Sequence, residues 1–304
     1  MTAYLARRVL QAVAVVVLVT LIVFGLLSLA PGNALSAVLG SGGAHQPFLL
    51  AYLTWLSRVL RGNLGFSTRL NVSVGTLLAA SLPRTLVLVG VSTLIALLIA
   101  IPVGLAQAVR RSTAADHVLR GVTYLGYATP TFVLGALLLL FLAVDLRWFA
   151  AEGPQAPGII GFATDLRALT LPVLTLTLVT VAIFARYMRS SALDSLAQEY
   201  VEAARARGAG EARVLLRHVL RNSLVPVVTL LGLSLPQIVG GAVRVEDLFN
   251  IQGMGWQIWQ AAQRQDAPVT LGFTLVIGVA AAIGSLLADI GYALLDPRVR
   301  YAQQ

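Results

Sequence analysis

EYVEAARARGAGEARVLLRHVLRNSLVP, residues 199–226, is the stretch on which the reading of this chain turns. It is rich in arginine and punctuated by alanine, inside a sequence that is otherwise strongly apolar. Apolar spans flank it on both sides, so it connects membrane crossings and does not itself cross. The pattern predicts two short helices joined at Gly208-Ala209-Gly210. A membrane protein that places its most polar internal segment between two spans presents it to a soluble partner.

Composition supports the membrane setting. The 304 residues are 58% hydrophobic and 12% charged, with a mean hydropathy of +0.83. A soluble domain carries about 25% charged residues, so a polytopic helical membrane protein is the natural class. All 22 basic residues are arginine. Without lysine there is no phosphate-loop lysine, no Schiff base and no Ser-Lys dyad. Without cysteine there are no thiol nucleophiles, disulfides or thiolate metal sites. The all-arginine, Ala/Val/Leu/Gly-rich composition matches a high-GC genome. A pI near 10.8 does not indicate nucleic acid, because the arginines cluster beside spans and not on one soluble face.

Working outward, six segments are long and apolar enough to span. They are Val9–Ala30, preceded by Arg7-Arg8 and read as a retained anchor; Thr85–Val109, with Pro102; Gly121–Val144, interrupted by Pro130; a span from Leu171-Pro172 that leaves the bilayer through Arg186 and Arg189; Leu224–Val243; and Val269–Ile290. A polar stretch from Pro31 to Pro83, containing Trp55, Arg58 and Arg61, separates the first two. With the N-terminus inside, the inner segments hold 14 arginines and the outer ones 8. The brief Arg110-Arg111 turn weighs most in that orientation. Both termini and residues 199–226 are therefore expected on the cytoplasmic side.

Within the polar segment, Ala203, Ala204 and Ala206 make a small-residue surface, and Gly208 and Gly210 permit positive φ. Glu211 opens the second short helix, where a carboxylate suits the dipole. Arg213, Arg217 and Arg221 follow on one face. Like charges at that spacing cost about 0.2–0.5 kcal/mol per pair, so the stripe calls for acidic company. Anionic lipid headgroups, at about 1 kcal/mol per arginine, and a partner protein both answer that need.

Here the sequence resembles a family. Glu202-Ala203-Ala204, followed after three residues by Gly208, is similar to the EAA-loop signature of permease subunits in binding-protein-dependent bacterial ABC importers. His218-Val219-Leu220-Arg221 stands where the general signature has I-x-L-P, as in the dipeptide/oligopeptide/nickel branch. Other stretches resemble that branch in order. They are Tyr4-Leu5-Ala6-Arg7-Arg8, Pro31-Gly32, Tyr52 and Trp55, and Arg61-Gly62-Asn63-Leu64-Gly65. Pro130-x-Phe132, Gly241 with Glu246 and Phe249, Gly253-x-Gly255, and Asp296-Pro297-Arg298-Val299-Arg300-Tyr301 complete the set. The outer segment after Pro31-Gly32 is shorter than the family's usual one, and Arg244 replaces a residue that is normally apolar.

The resemblance implies an all-α polytopic membrane protein with the type I ABC importer transmembrane fold, six transmembrane helices and cytoplasmic termini. Residues 1–84 would form a transmembrane helix plus an extracytoplasmic segment. Residues 85–304 would form the permease core, with five transmembrane helices and the EAA-type coupling loop 199–226. Glu202, Ala203, Ala204 and Gly208 would touch an ATPase, with Gly210 in the turn and Arg205 and Arg207 as rim charges. The implied partners are a homologous second permease, two ABC ATPase subunits that bind ATP and Mg, an extracytoplasmic solute-binding protein, and membrane lipid. On this resemblance no cofactor, metal, catalytic residue or nucleic acid would belong to this chain, which would be a permease and not an enzyme. The implied cargo is dipeptides, oligopeptides or similar small solutes, moved into the cell across the bacterial cytoplasmic membrane.

Other readings are weighed on residues. Arg244 snorkels outward or pairs with Glu246 or Asp247; alternatively, Arg244 and Glu246 line the path or an outer gate. His45, His117 and His218 are too scattered to share a metal. Asp289, near the end of the sixth span, either binds an ion or, more simply, lies at the cytoplasmic interface and pairs with an arginine such as Arg298. A stand-alone secondary transporter or channel would need intramembrane carboxylates, and the spans contain almost none. An intramembrane enzyme would need a convergent nucleophile and base, and none is visible.

Overall fold

The computed structural model describes residues 2–29, 34–40, 46–234, 236 and 243–295, with side chains for these except 2–6, 34–35, 115 and 289–295. Pro31-Gly32, His45, Gly241, the side chain of Asp289 and the C-terminal Asp296–Tyr301 motif lie outside that set. Thirteen helices are described: α1 Thr2–Leu29, α2 Ala34–Leu39, α3 Phe48–Leu60, α4 Val74–Val109, α5 Ala114–Ala128, α6 Thr131–Asp145 and α7 Gly158–Thr164. They continue with α8 Leu166–Leu196, α9 Glu199–Ala206, α10 Glu211–Leu233, α11 Val243–Leu248, α12 Met254–Gln263 and α13 Ala267–Leu295. A two-stranded antiparallel hairpin, β1 Phe66–Ser67 and β2 Val72–Ser73, precedes α4.

Five helices are long and apolar enough to cross a membrane: α1, α4, α8, α10 and α13. The sixth expected span is the pair α5 and α6, bent by 103° at its break. Pro130 causes the bend. Its ring pushes Thr129 out of the helical region, to φ −80° and ψ 123°. Helix α6 ends in a π-helical stretch, Leu139–Asp145.

Two boundaries differ from expectation. The second span begins at Val74, not Thr85, because Ser73 caps the helix by accepting the Thr76 N–H, and Pro83 is accommodated inside it. Residue 84 therefore falls within α4. The fifth span begins at Glu211, so the expected second short helix is the first part of α10, with a π-helical stretch at Val214–Val219. Residues 237–242, assigned by sequence to the end of that span, lie outside the described set.

The core is built on α4 and α8, which run side by side. Ala96, Ala100 and Ala108 of α4 and Ala182, Ala185 and Ala192 of α8 are all buried. Such small side chains let two helix backbones approach closely in a bilayer. Gly104 marks the tightest point, since a Cβ there would lie 2.7 Å from the Ala185 carbonyl. Helix α1 packs along α13, and Phe24 meets Tyr52 and Trp55 of α3. The Tyr52 hydroxyl bonds Thr20 at 3.0 Å. Trp55, read from sequence as part of a polar outer stretch, is thus a core residue.

Candidate functional site

Helix α9 hangs from the ends of α8 and α10, the side that the arginine distribution assigns to the cytoplasm. Val201 and Ala204 are its inward face and join Met188, Ala192, Val214 and Val219 in one apolar cluster. Glu202, Ala203, Arg205, Ala206, Arg207 and Gly208 are exposed. Ala204 is therefore corrected from an outer contact to a buried anchor, 5% exposed, because it faces its own chain's core.

Gly208 reverses the chain. Its φ is +82°, and a Cβ there would meet nothing within 4 Å. The Gly208 N–H donates to Arg205 O and the Ala209 N–H to Ala204 O, the bonding of a Schellman helix end. The other glycine behaves differently: Gly210 has φ −64°, so only Gly208 uses the left-handed region. Across the turn Arg205 forks onto Glu211, with Nε to Oε1 at 2.8 Å and Nη2 to Oε2 at 3.2 Å. Arg205 is thus held by its own chain, while the Arg207 Nε donates to Ala203 O at 3.1 Å. Arg213, Arg217 and Arg221 are exposed along α10.

A buried polar web that the sequence reading missed lies nearby. Asp116 is 1% exposed and accepts from Arg189, Nε to Oδ1 and Nη2 to Oδ2 at 3.3 Å each. The Ser112 N–H donates to it at 3.1 Å, and Arg120 approaches at 3.5 Å. This pair fastens the start of α5 to α8. The turn chemistry at Ser112-Thr113 was a legible cap signal; the link to Arg189, 73 residues away, was not.

On the opposite side, Glu246 of α11 is fully buried. It accepts Thr85 Oγ1 at 2.7 Å and the Trp256 N–H at 2.9 Å, while Thr85 Oγ1 accepts the Met254 N–H at 2.7 Å. The carboxyl therefore sits against the N-terminus of α12, where the dipole favours an anion. Burial nonetheless pushes it above the usual carboxylate range, opposed by the bonds from Thr85, Trp256 and Gly255. Gly253 and Gly255 explain their own motif. A Cβ on Gly253 would lie 2.5 Å from Glu246 Cδ and Thr85 Oγ1, and one on Gly255 would lie 2.8 Å from Val243 Cα. Arg244 does not pair with Glu246; its guanidinium lies 5.1 Å over the Trp259 ring, and its side chain is exposed. Ser67 and the buried Asp266 form a second outer tie, joining the hairpin to the start of α13.

The architecture is that of a multi-span helical membrane protein with a small helix displayed beyond its long apolar helices. The comparisons give its family. Residues 100–301 match the family described as binding-protein-dependent transport system inner membrane component, and the chain belongs to it. It is 35% identical over 316 residues to the oligopeptide transport system permease protein AppB of Bacillus subtilis, covering 99% of this chain and 100% of that one. It is 34% identical over 324 residues to OppB of Mycobacterium bovis, covering 99% of each. The fold is that of a chain in the inward-facing MetNI methionine ABC transporter, with a TM-score of 0.52 at 19% identity, over 75% of this chain and 97% of that one. The protein is a non-enzymatic permease subunit of an ABC importer and works with other transporter components.

Proposed function

We propose that this subunit carries peptides into a bacterial cell across the cytoplasmic membrane, with the energy supplied by separate ATPase subunits bound at α9. A second, homologous permease completes the path, and an extracytoplasmic binding protein delivers the solute. The peptide class is supported by the names of relatives matched along nearly the whole chain. ATP and Mg belong to the ATPases.

The observation that carries the coupling assignment is the exposed face of α9 between Glu202 and Gly208, on a helix whose inward face is Val201 and Ala204. Because Val201 and Ala204 are buried in the same cluster as residues of α4 and α8, a force applied to α9 is passed to the main bundle. Glu202, Ala203 and Gly208 form the contact, Arg207 the rim, and Gly210 lets the chain enter α10. Arg205 shapes the turn through Glu211. On the outer side, Glu246 holds the gate region closed around Thr85, and Arg244 faces the solute's entry.

Gly208→Val tests this. A β-branched residue at φ +82° is strained by about 1–2 kcal/mol but meets no neighbour, so insertion is retained and the melting temperature falls only by a few degrees. Peptide uptake and binding-protein-stimulated ATPase activity are expected to fall together, and co-purification of ATPase subunits to weaken. Uptake and stimulated hydrolysis at wild-type levels would overturn the assignment.

A further inference from the structure

Between α4, α5, α8 and α10 lies a cavity of about 530 Å³ that neither the α9 surface nor the Glu246 region uses. Its wall includes Gln107, Arg120, Arg186, Arg189, Tyr124 and Tyr127. Two features of that wall ask for a ligand. Gln107 is 1% exposed, yet neither its amide nitrogen nor its amide oxygen has a hydrogen-bond partner. Buried side-chain amides are almost always satisfied, so this one faces a group that is not part of the chain. The second feature is charge. Arg120 and Arg189 share Asp116, whereas Arg186 lies 4.3 Å over the Tyr127 ring and 5.5 Å over that of Tyr124, with no carboxylate paired to it among the described residues. Three guanidinium groups thus stand against one carboxylate, and the guanidinium of Arg186 is free to take an anion.

Depth narrows the ligand. Gln107 is two residues from the end of α4 at Val109, just before Arg110-Arg111. That is headgroup level on the expected cytoplasmic side, and amphipathic tyrosines mark the same level. Tyr124, Tyr127 and Tyr187 of the same wall are exposed, so the cavity opens outward between aromatic side chains. A basic, aromatic pocket between helices at this depth matches a lipid phosphate. The free amide oxygen of Gln107 adds an acceptor for a headgroup hydroxyl.

We infer that this cavity holds an anionic phospholipid of the cytoplasmic leaflet, its phosphate diester against Arg186 and the Gln107 amide. The test uses the permease purified with the subunits that accompany it, partly delipidated and titrated with phosphatidylglycerol or phosphatidylcholine, with bound lipid read by native mass spectrometry. Wild type is expected to retain phosphatidylglycerol over phosphatidylcholine. R186Q should weaken that retention about fivefold, the share of one interfacial arginine, and near-isosteric Q107E should abolish it by placing a carboxylate beside the phosphate. Arg186 is exposed, so R186Q is expected to leave the melting temperature unchanged. Equal retention of the two lipids, or unchanged retention in both variants, overturns the inference. Displacement of bound phosphatidylglycerol by a free dipeptide also overturns it, and assigns the cavity to the carboxylate of a solute.

Discussion

The α9 turn and the Glu246 region are both built around a glycine and a carboxylate, yet their construction is opposite. At Gly208 the backbone needs a positive φ, while the space around it is empty. At Gly253 the requirement is space, since the Glu246 carboxyl and the Thr85 hydroxyl occupy the volume a side chain would fill. Glu211 is exposed and pairs with an exposed arginine; Glu246 is buried and pairs with a hydroxyl and backbone N–H groups. Under the proposed coupling role the first arrangement shapes a surface for a partner, whereas the second fixes one part of the chain on another. Elements that move or dock come from the weakly packed end of a structure, and α9 belongs there.

The sharpest way to break that contrast is to place valine at both glycines. Gly253→Val forces three carbons into an occupied volume and is expected to destabilise by about 3 kcal/mol, the upper end of overpacking. Its readout is a lower melting temperature in detergent, with transport lost for lack of folded protein. Gly208→Val is expected to lose transport with melting lowered only by a few degrees. Equal melting losses at the two sites would show that α9 is as tightly integrated as the outer region.

A smaller effect sharpens the comparison through pH. Burial raises the Glu246 carboxyl above the ordinary value of 4.5, so its stabilising contribution is complete below 4.5 and is lost as pH rises through the folded value. Wild type should gain stability on acidification relative to neutral pH from this group. Glu246→Gln cannot titrate and should remove that gain, which thermal melts across a pH series will read. An unchanged slope in the variant would place the pH sensitivity elsewhere.

How much of this was legible depends on range. The spans, the break at Pro130 and the reversal at Gly208 follow from hydropathy, from a missing N–H and from a missing Cβ, all local facts. The start of α4 was misplaced because Pro83 reads as a helix boundary, whereas the Ser73 cap and the packing of a 36-residue helix override it. The inward turn of Ala204 was hidden because alanine suits either face of an amphipathic helix, and only its contact with the α8–α10 cluster decides. Glu246 with Thr85, and Asp116 with Arg189, are pairs 161 and 73 residues apart that no spacing announces. Family resemblance pointed at Glu246 and Gly253-x-Gly255 without saying why; the reason is steric.

The mildest perturbation is at the Arg205–Glu211 pair, and there the comparison is most discriminating. Both side chains are largely in water, at 42% and 65% exposure, so the pair contributes little to stability and is screened by salt. Its geometry is nevertheless bidentate and closes the loop that sets the angle between α9 and α10. Arg205→Glu and Glu211→Arg, made singly, should leave melting unchanged and lower stimulated ATPase activity and uptake. The double exchange restores opposite charges across the same turn and should recover part of that activity, more at low than at high ionic strength. Recovery, read as a coupling energy in a double-mutant cycle, would mean that the pair positions α9 through its internal contact. If Arg205→Glu stays inactive in the exchanged pair while Glu211→Arg alone is harmless, Arg205 acts on the ATPase directly and its bond to Glu211 is incidental.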